Sequence, residues 1–156
     1  MQNKQRRLFL KTAVAGSTVG VAIAAGLLTP ATVLAEWNEA AFTAKKVPDA
    51  VKGLFGDGAM TDSDKIEINA PDVAENGAVV PVDIKTSLPN VSNISLMVSE
   101  NASPLTASFD TTDAIKGGVS LRVKVGKSGD LIVAVKSDGK LYTAKRAVKV
   151  TMGGCG

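Results

Sequence analysis

From residue 65 onward the chain alternates apolar and polar positions in short runs, and turn-forming residues punctuate those runs at even intervals. The spacing predicts strands over 65–70, 78–85, 91–98, 105–109, 119–125, 131–136 and 140–150. Between them stand Asn76-Gly77, Leu88-Pro89-Asn90, Gly117-Gly118, Ser128-Gly129-Asp130 and Asp138-Gly139. Asp138-Gly139 sits between two apolar-alternating runs and predicts a two-residue type I′ hairpin, which needs positive φ at both positions. Leu121, Val123 and Val125, with Leu131, Val133 and Val135, are assigned to a core, and Arg122, Lys124 and Lys136 to the surface. Seven strands at this spacing predict a mainly β fold, a seven-stranded immunoglobulin-like β-sandwich, although the cysteine pair and core tryptophan of antibody domains are absent. Val79-Val80-Pro81-Val82 is apolar on both faces and holds a proline that cannot donate to a ladder, so it reads as an edge or a bulge. Such an edge needs a cover, either a partner subunit or the helices that precede the sandwich.

Ahead of the strands, residues 36–63 read as a short N-terminal helical segment. Trp37, Ala40, Ala41 and Ala44 form one face, Pro48 starts a second short helix through Phe55, and Gly56-Asp57-Gly58 ends it. Trp37, Phe42 and Phe55 are expected to pack onto the domain. Residues 1–35 have another character. Basic residues end at Lys11, an apolar Ala/Gly/Val-rich stretch follows through Leu28, and Val33-Leu34-Ala35 offers a small-residue cleavage site. Within this leader Arg6-Arg7-Leu8-Phe9-Leu10-Lys11 looks like a twin-arginine export signal, with Gln5 where Ser or Thr is common. Export by that route predicts a periplasmic protein with no membrane segment after signal removal. Twin-arginine export moves folded proteins, often with a cofactor or partner; no cofactor motif is visible, so a partner is expected.

The net charge of +3 changes meaning once the leader is set aside. Four of the 18 basic residues lie in the first 35, which hold no acidic residue, leaving 14 basic against 15 acidic. A nucleic-acid partner loses its main support. With one cysteine there is no internal disulfide, and with no histidine the Ser-His-Asp and Cys-His nucleophiles and ordinary zinc or haem ligation are excluded within the chain. No catalytic residue, metal ligand set or cofactor is therefore assigned.

What remains is the end of the chain, Thr151-Met152-Gly153-Gly154-Cys155-Gly156. Gly153, Gly154 and Gly156 leave the Cys155 sulfur unobstructed and the backbone unrestricted, and residues 151–156 read as a flexible arm reaching at most roughly 20 Å at about 3.3 Å per residue. No Lys or Arg follows Lys149, and the carboxylate of Gly156 disfavours the thiolate, so Cys155 is not expected to activate itself. These features describe a carrier rather than an enzyme. Two other readings of the residues stay open: an exported immunoglobulin-like binding or assembly module whose cysteine makes an intermolecular disulfide, and a soft-metal carrier using Cys155 with Met152.

The twin-arginine leader, the stretch running from Ile68-Asn69-Ala70-Pro71-Asp72-Val73-Ala74 through Glu75-Asn76-Gly77-Ala78-Val79-Val80-Pro81-Val82, the seven-strand pattern and the Gly153-Gly154-Cys155-Gly156 ending together resemble the SoxY family. These are the sulfur-carrier subunits of the Sox thiosulfate-oxidising system. The resemblance implies a heterodimer with a SoxZ-like subunit and covalent attachment of thiosulfate-derived sulfur at Cys155. It further implies service to SoxAX-, SoxB- and SoxCD-like enzymes, with Gly153, Gly154 and Gly156 letting the arm enter each active site. Family members commonly carry one more glycine after the motif, and its absence here brings the carboxylate nearer the sulfur.

Overall fold

Asp138-Gly139 turns as its residues require, with φ of 48° and 74°, and it joins the two longest strands into a hairpin. These are β8 (Gly129–Ser137) and β9 (Lys140–Val150), in antiparallel register from Gly129↔Val148 to Ser137↔Lys140. The computed structural model describes residues 38–111 and 118–151. The remaining elements are helices α1 (Glu39–Thr43) and α2 (Val47–Phe55) and strands β1 (Met60–Asp62), β2 (Ile66–Asn69), β3 (Val73–Ala74), β4 (Val80–Thr86), β5 (Val91–Val98), β6 (Leu105–Asp110) and β7 (Gly118–Val123). The fold is mainly β, in two sheets. The larger has the order β1-β9-β8-β5-β6, with β3 also paired to β9; the smaller has the order β2-β4-β7.

Side chains from both sheets meet in one core. Ile66 and Ile68 from β2, Val80, Val82 and Ile84 from β4, and Val123 from β7 face Ile94, Leu96 and Val98 from β5, Leu131, Val133 and Val135 from β8, and Val148 from β9. The alternation of β8 assigned its core face correctly, with Leu131, Val133 and Val135 fully buried and Lys136 exposed. Arg122 and Lys124 are likewise exposed and Val123 and Val125 buried, while Leu121 is half-buried.

The other face of the larger sheet is buried as well. Met97, Ile132, Ala134 and Leu141 pack under Ala41, Ala50 and Val51 of the two helices, so the strands at the centre of this sheet are apolar on both sides, as a sheet covered twice must be. Asn38 joins the helices: its side-chain oxygen caps α1 by accepting from the Ala41 N–H at 3.0 Å, while its amide donates to the Gly53 carbonyl in α2 at 2.7 Å. Gly53 permits that approach, since a Cβ there would stand 2.9 Å from the Ala41 Cα. Polar groups on this face are paired. Asn93 donates to Ser108 Oγ at 3.0 Å and to Asp110 Oδ1 at 2.9 Å, and accepts from Ser95 Oγ at 2.7 Å.

Four expectations need correction. The described residues hold nine strands, not seven: β1 and β3 are too short for periodicity to mark, and both exist because β9 offers them an edge for parallel pairing. Segment 36–63 is therefore not helical throughout, since Met60–Asp62 pairs with Leu141–Thr143. In α1, Ala40 is exposed while Ala41 carries the contact. Finally, β4 lies in the middle of its sheet, not at an edge, and Val80 and Val82 face the core. The proline argument keeps a local truth, because the pairing of β2 with β4 ends at Asn69↔Asp83 and leaves Pro81 opposite only Arg122 of β7. Phe42 and Phe55 pack on the helix side of the larger sheet; Trp37 lies outside the described residues.

Candidate functional site

The residues singled out by sequence, Cys155 with Gly153, Gly154 and Gly156, and Arg6 and Arg7 of the leader, lie outside the described residues. What the structure does describe is the root from which the cysteine segment leaves. Successive N–H groups of a strand point to opposite sides, and the last residues of β9 are tied accordingly. Lys149 N–H donates to the Asp72 carbonyl at 2.9 Å and Thr151 N–H to the Ala74 carbonyl at 3.2 Å, both on the β3 side. Between them, Val150 N–H donates to Ser128 Oγ at 2.9 Å on the other side. Backbone pairing of the described residues therefore includes Thr151, one residue beyond the predicted strand end.

The β3 strap is itself held by a charged pair. Arg146 of β9 donates from Nη2 to Asp72 Oδ1 at 2.9 Å and from Nη1 to the Ile68 carbonyl at 3.3 Å, so one guanidinium joins β2, the strap and β9. Gly77, which follows the strap, lies against the root: an added Cβ would meet the Val125 carbonyl oxygen and stand 2.8 Å from Val150 Cγ1. Its carbonyl accepts from Val125 N–H at 2.7 Å. The exposed large apolar residues of the described chain, Val73 and Val79, both belong to this neighbourhood in sequence, at 51% and 54% exposure.

Cys155 follows Thr151 by four residues, so its Cα lies at most about 13 Å from that of Thr151 at roughly 3.3 Å per residue. An open cavity of ≈ 330 Å³ lined by Phe55, Thr61, Lys136, Lys140 and Leu141 is at the opposite end of β9. At about 3.3 Å per residue that end is roughly 30 Å from Val150, so the cavity is beyond the reach of the cysteine. Among the described residues there is no group of three or more His, Cys, Asp or Glu placed to hold a metal, and no helix long and apolar enough to cross a membrane. Sequence reasoning did not single out Asp72, Ser128 or Arg146: Asp72 falls in the 68–82 stretch outside any predicted strand, Ser128 in a predicted turn and Arg146 within the last predicted strand.

The chain matches the family described as sulfur oxidation protein SoxY over residues 51–155, a span that runs from α2 to the cysteine itself. It belongs to the SoxY family. The solved structure of the sulfur carrier protein SoxY from Chlorobium limicola f thiosulfatophilum is 47% identical, with a TM-score of 0.63, over 69% of this chain and 97% of that one. A superoxide reductase (neelaredoxin) from Ignicoccus hospitalis is 18% identical with a TM-score of 0.52, over 58% of this chain and 94% of that one, a likeness of fold alone. Comparison with curated proteins gave no match. The resemblance seen in the leader, the 68–82 stretch and the tail is thus borne out at the level of the family. SoxY proteins are sulfur carriers, and membership gives this chain a carrier role in sulfur oxidation, among the partners of a Sox system.

Proposed function

We propose that this SoxY-family chain is a periplasmic carrier, exported by the twin-arginine route, that holds thiosulfate-derived sulfur covalently on Cys155 and presents it to Sox enzymes. The observation that carries the proposal is the family match running through residue 155. Chemically, the Cys155 thiol and thiosulfate form an S–S bond with loss of one proton and two electrons, the electrons leaving to a haem partner of the SoxAX type. Water then releases sulfate and a proton, in a SoxB-like site, and leaves a persulfide on Cys155. A SoxCD-like enzyme oxidises the outer sulfur, or another acceptor takes it. The chain contributes attachment and delivery; Gly153, Gly154 and Gly156 allow the backbone to pass through a narrow entrance.

The sandwich is read as immunoglobulin-like: with β1 and β3 set aside, the first, second and fifth strands (β2-β4-β7) lie opposite the third, sixth and seventh (β5, β8, β9), while the fourth, β6, pairs with the third and departs from the antibody constant-domain arrangement. A SoxZ-like subunit is the proposed partner, and covering Val73 and Val79 would remove apolar surface from water. Replacing Cys155 by Ser tests the reading. Thiosulfate oxidation by cells relying on this chain should stop while the protein is still exported and folded. Unimpaired oxidation would contradict a carrier role for that sulfur and leave an exported binding module as the better account.

A further inference from the structure

Val73 and Val79, the large apolar side chains exposed among the described residues, stand at the two shoulders of one turn. That turn is held in shape. Ala74 is buried in the core and half-buried Val150 packs on the same cluster. Asn76 Oδ1 accepts from the Ala78 N–H at 2.9 Å, and the Gly77 carbonyl accepts from the Val125 N–H at 2.7 Å. With Ala74 and Val80 facing inward, Val73 and Val79 face away from the core on either side of the turn.

Each exposed valine has a cation beside it. Val73 is paired with Lys149, and the antiparallel register Val80↔Val123, Pro81↔Arg122 brings Lys124 next to Val79. Pro81 and Arg122 continue the same outward face and are exposed, as are Lys124 and Lys149. None of the three cations makes an ion pair among the described residues. The acidic residues of this surface are Glu75 on the turn and half-buried Asp83, while Asp72 is engaged by Arg146. Beyond the leader the chain has 14 basic against 15 acidic residues, so the excess of cations here is local.

We propose that the turn bounded by Val73 and Val79, with Pro81, Arg122, Lys124 and Lys149, is the surface on which the SoxZ-like subunit docks. The partner presents an apolar groove that grips the turn from both shoulders, flanked by carboxylates that meet the three cations. The inference rests on the partner reading above and gives it a place. A lasting partner is the occupant because enzymes that visit in turn would return both valines to water between visits, and apolar surface of this kind belongs to interfaces that stay closed. The rigidity of the turn favours the same occupant, since no ordering of this segment has to be paid on association. The Ala74 carbonyl that accepts from the Thr151 N–H lies within the turn, so the partner borders the residue that precedes Cys155 by four positions.

The test uses the full mature chain produced together with the SoxZ-like subunit of the same organism, with the mass of the complex measured over a dilution series. One copy of each chain is expected for the parent. Val73→Asp and Val79→Asp place a carboxylate in the groove and should each weaken the complex at least about ten-fold. Lys124→Glu should weaken it less, with an effect that fades at high salt. Lys140→Glu, exposed at the far end of β9, should leave it unchanged. Val79→Ser serves if the aspartate variants do not fold, with a loss of about three- to ten-fold expected from the apolar area removed. Folded Val73 and Val79 variants that bind like the parent, or an equal loss with Lys140→Glu, overturn the docking surface while the partner reading stands. A parent chain that stays single, or pairs with a second copy of itself, overturns the partner reading and the inference with it.

Discussion

The centre of the larger sheet and the root of the cysteine segment are built on opposite terms. Leu96, Val133 and Ile132 sit in strands paired on both sides, with the second sheet below and two helices above. The root has one strand edge, a two-residue strap, a serine and an ion pair whose members are 36% and 86% exposed. Burial makes the first region insensitive to any single polar contact, whereas the second adds to the buried Ala74 and half-buried Val150 only a few, individually small polar ties. A carrier gains from that division, since the body can stay rigid while the departure point of the thiol remains at the surface.

The largest effect should come from Leu96→Ala, which empties the space between the sheets at a fully buried site; a loss of about 2–5 kcal/mol is expected in denaturant unfolding. Gly53→Val comes next. A better helix former at this position would gain at most about 1 kcal/mol, but the clash with the Ala41 backbone costs about 1–3 kcal/mol, so the net change should be destabilising and should loosen the helices before the sheets. Asn38→Ala removes both the α1 cap and the bond to Gly53, for about 1 kcal/mol. Smallest is Asp72→Ala, expected to cost no more than about 0.5 kcal/mol because the pair is largely solvated. If Asp72→Ala instead matched Leu96→Ala in an unfolding titration, the strap would belong to the core and the contrast between the two regions would fail.

Much of this was readable from residues in order. Strict alternation marked the inner face of β8, and Asp138-Gly139 marked its hairpin, because both signals are local. The second covered face was not, although Ile132 and Ala134 were present between the assigned core positions; only the docking of Ala41, Ala50 and Val51 gives those side chains a place. Pro81 shows the same limit, since whether a proline sits at an edge depends on where β2 stops, which no residue in β4 records. For the site, Gly153-Gly154-Cys155-Gly156 was legible as a unit of chemistry. Its anchor was not, because the ties join Asp72 and Ala74 to residues more than 70 positions away, and a pairing that remote leaves no periodicity in either segment.

The central claim is that Cys155 carries sulfur, and the intact mass of the mature protein from thiosulfate-fed cells, taken with and without reductant, tests it most directly. The account predicts a mass increment of thiosulfonate or persulfide on Cys155 that reductant removes. Bare monomer or a plain disulfide dimer, in cells actively consuming thiosulfate, would contradict it.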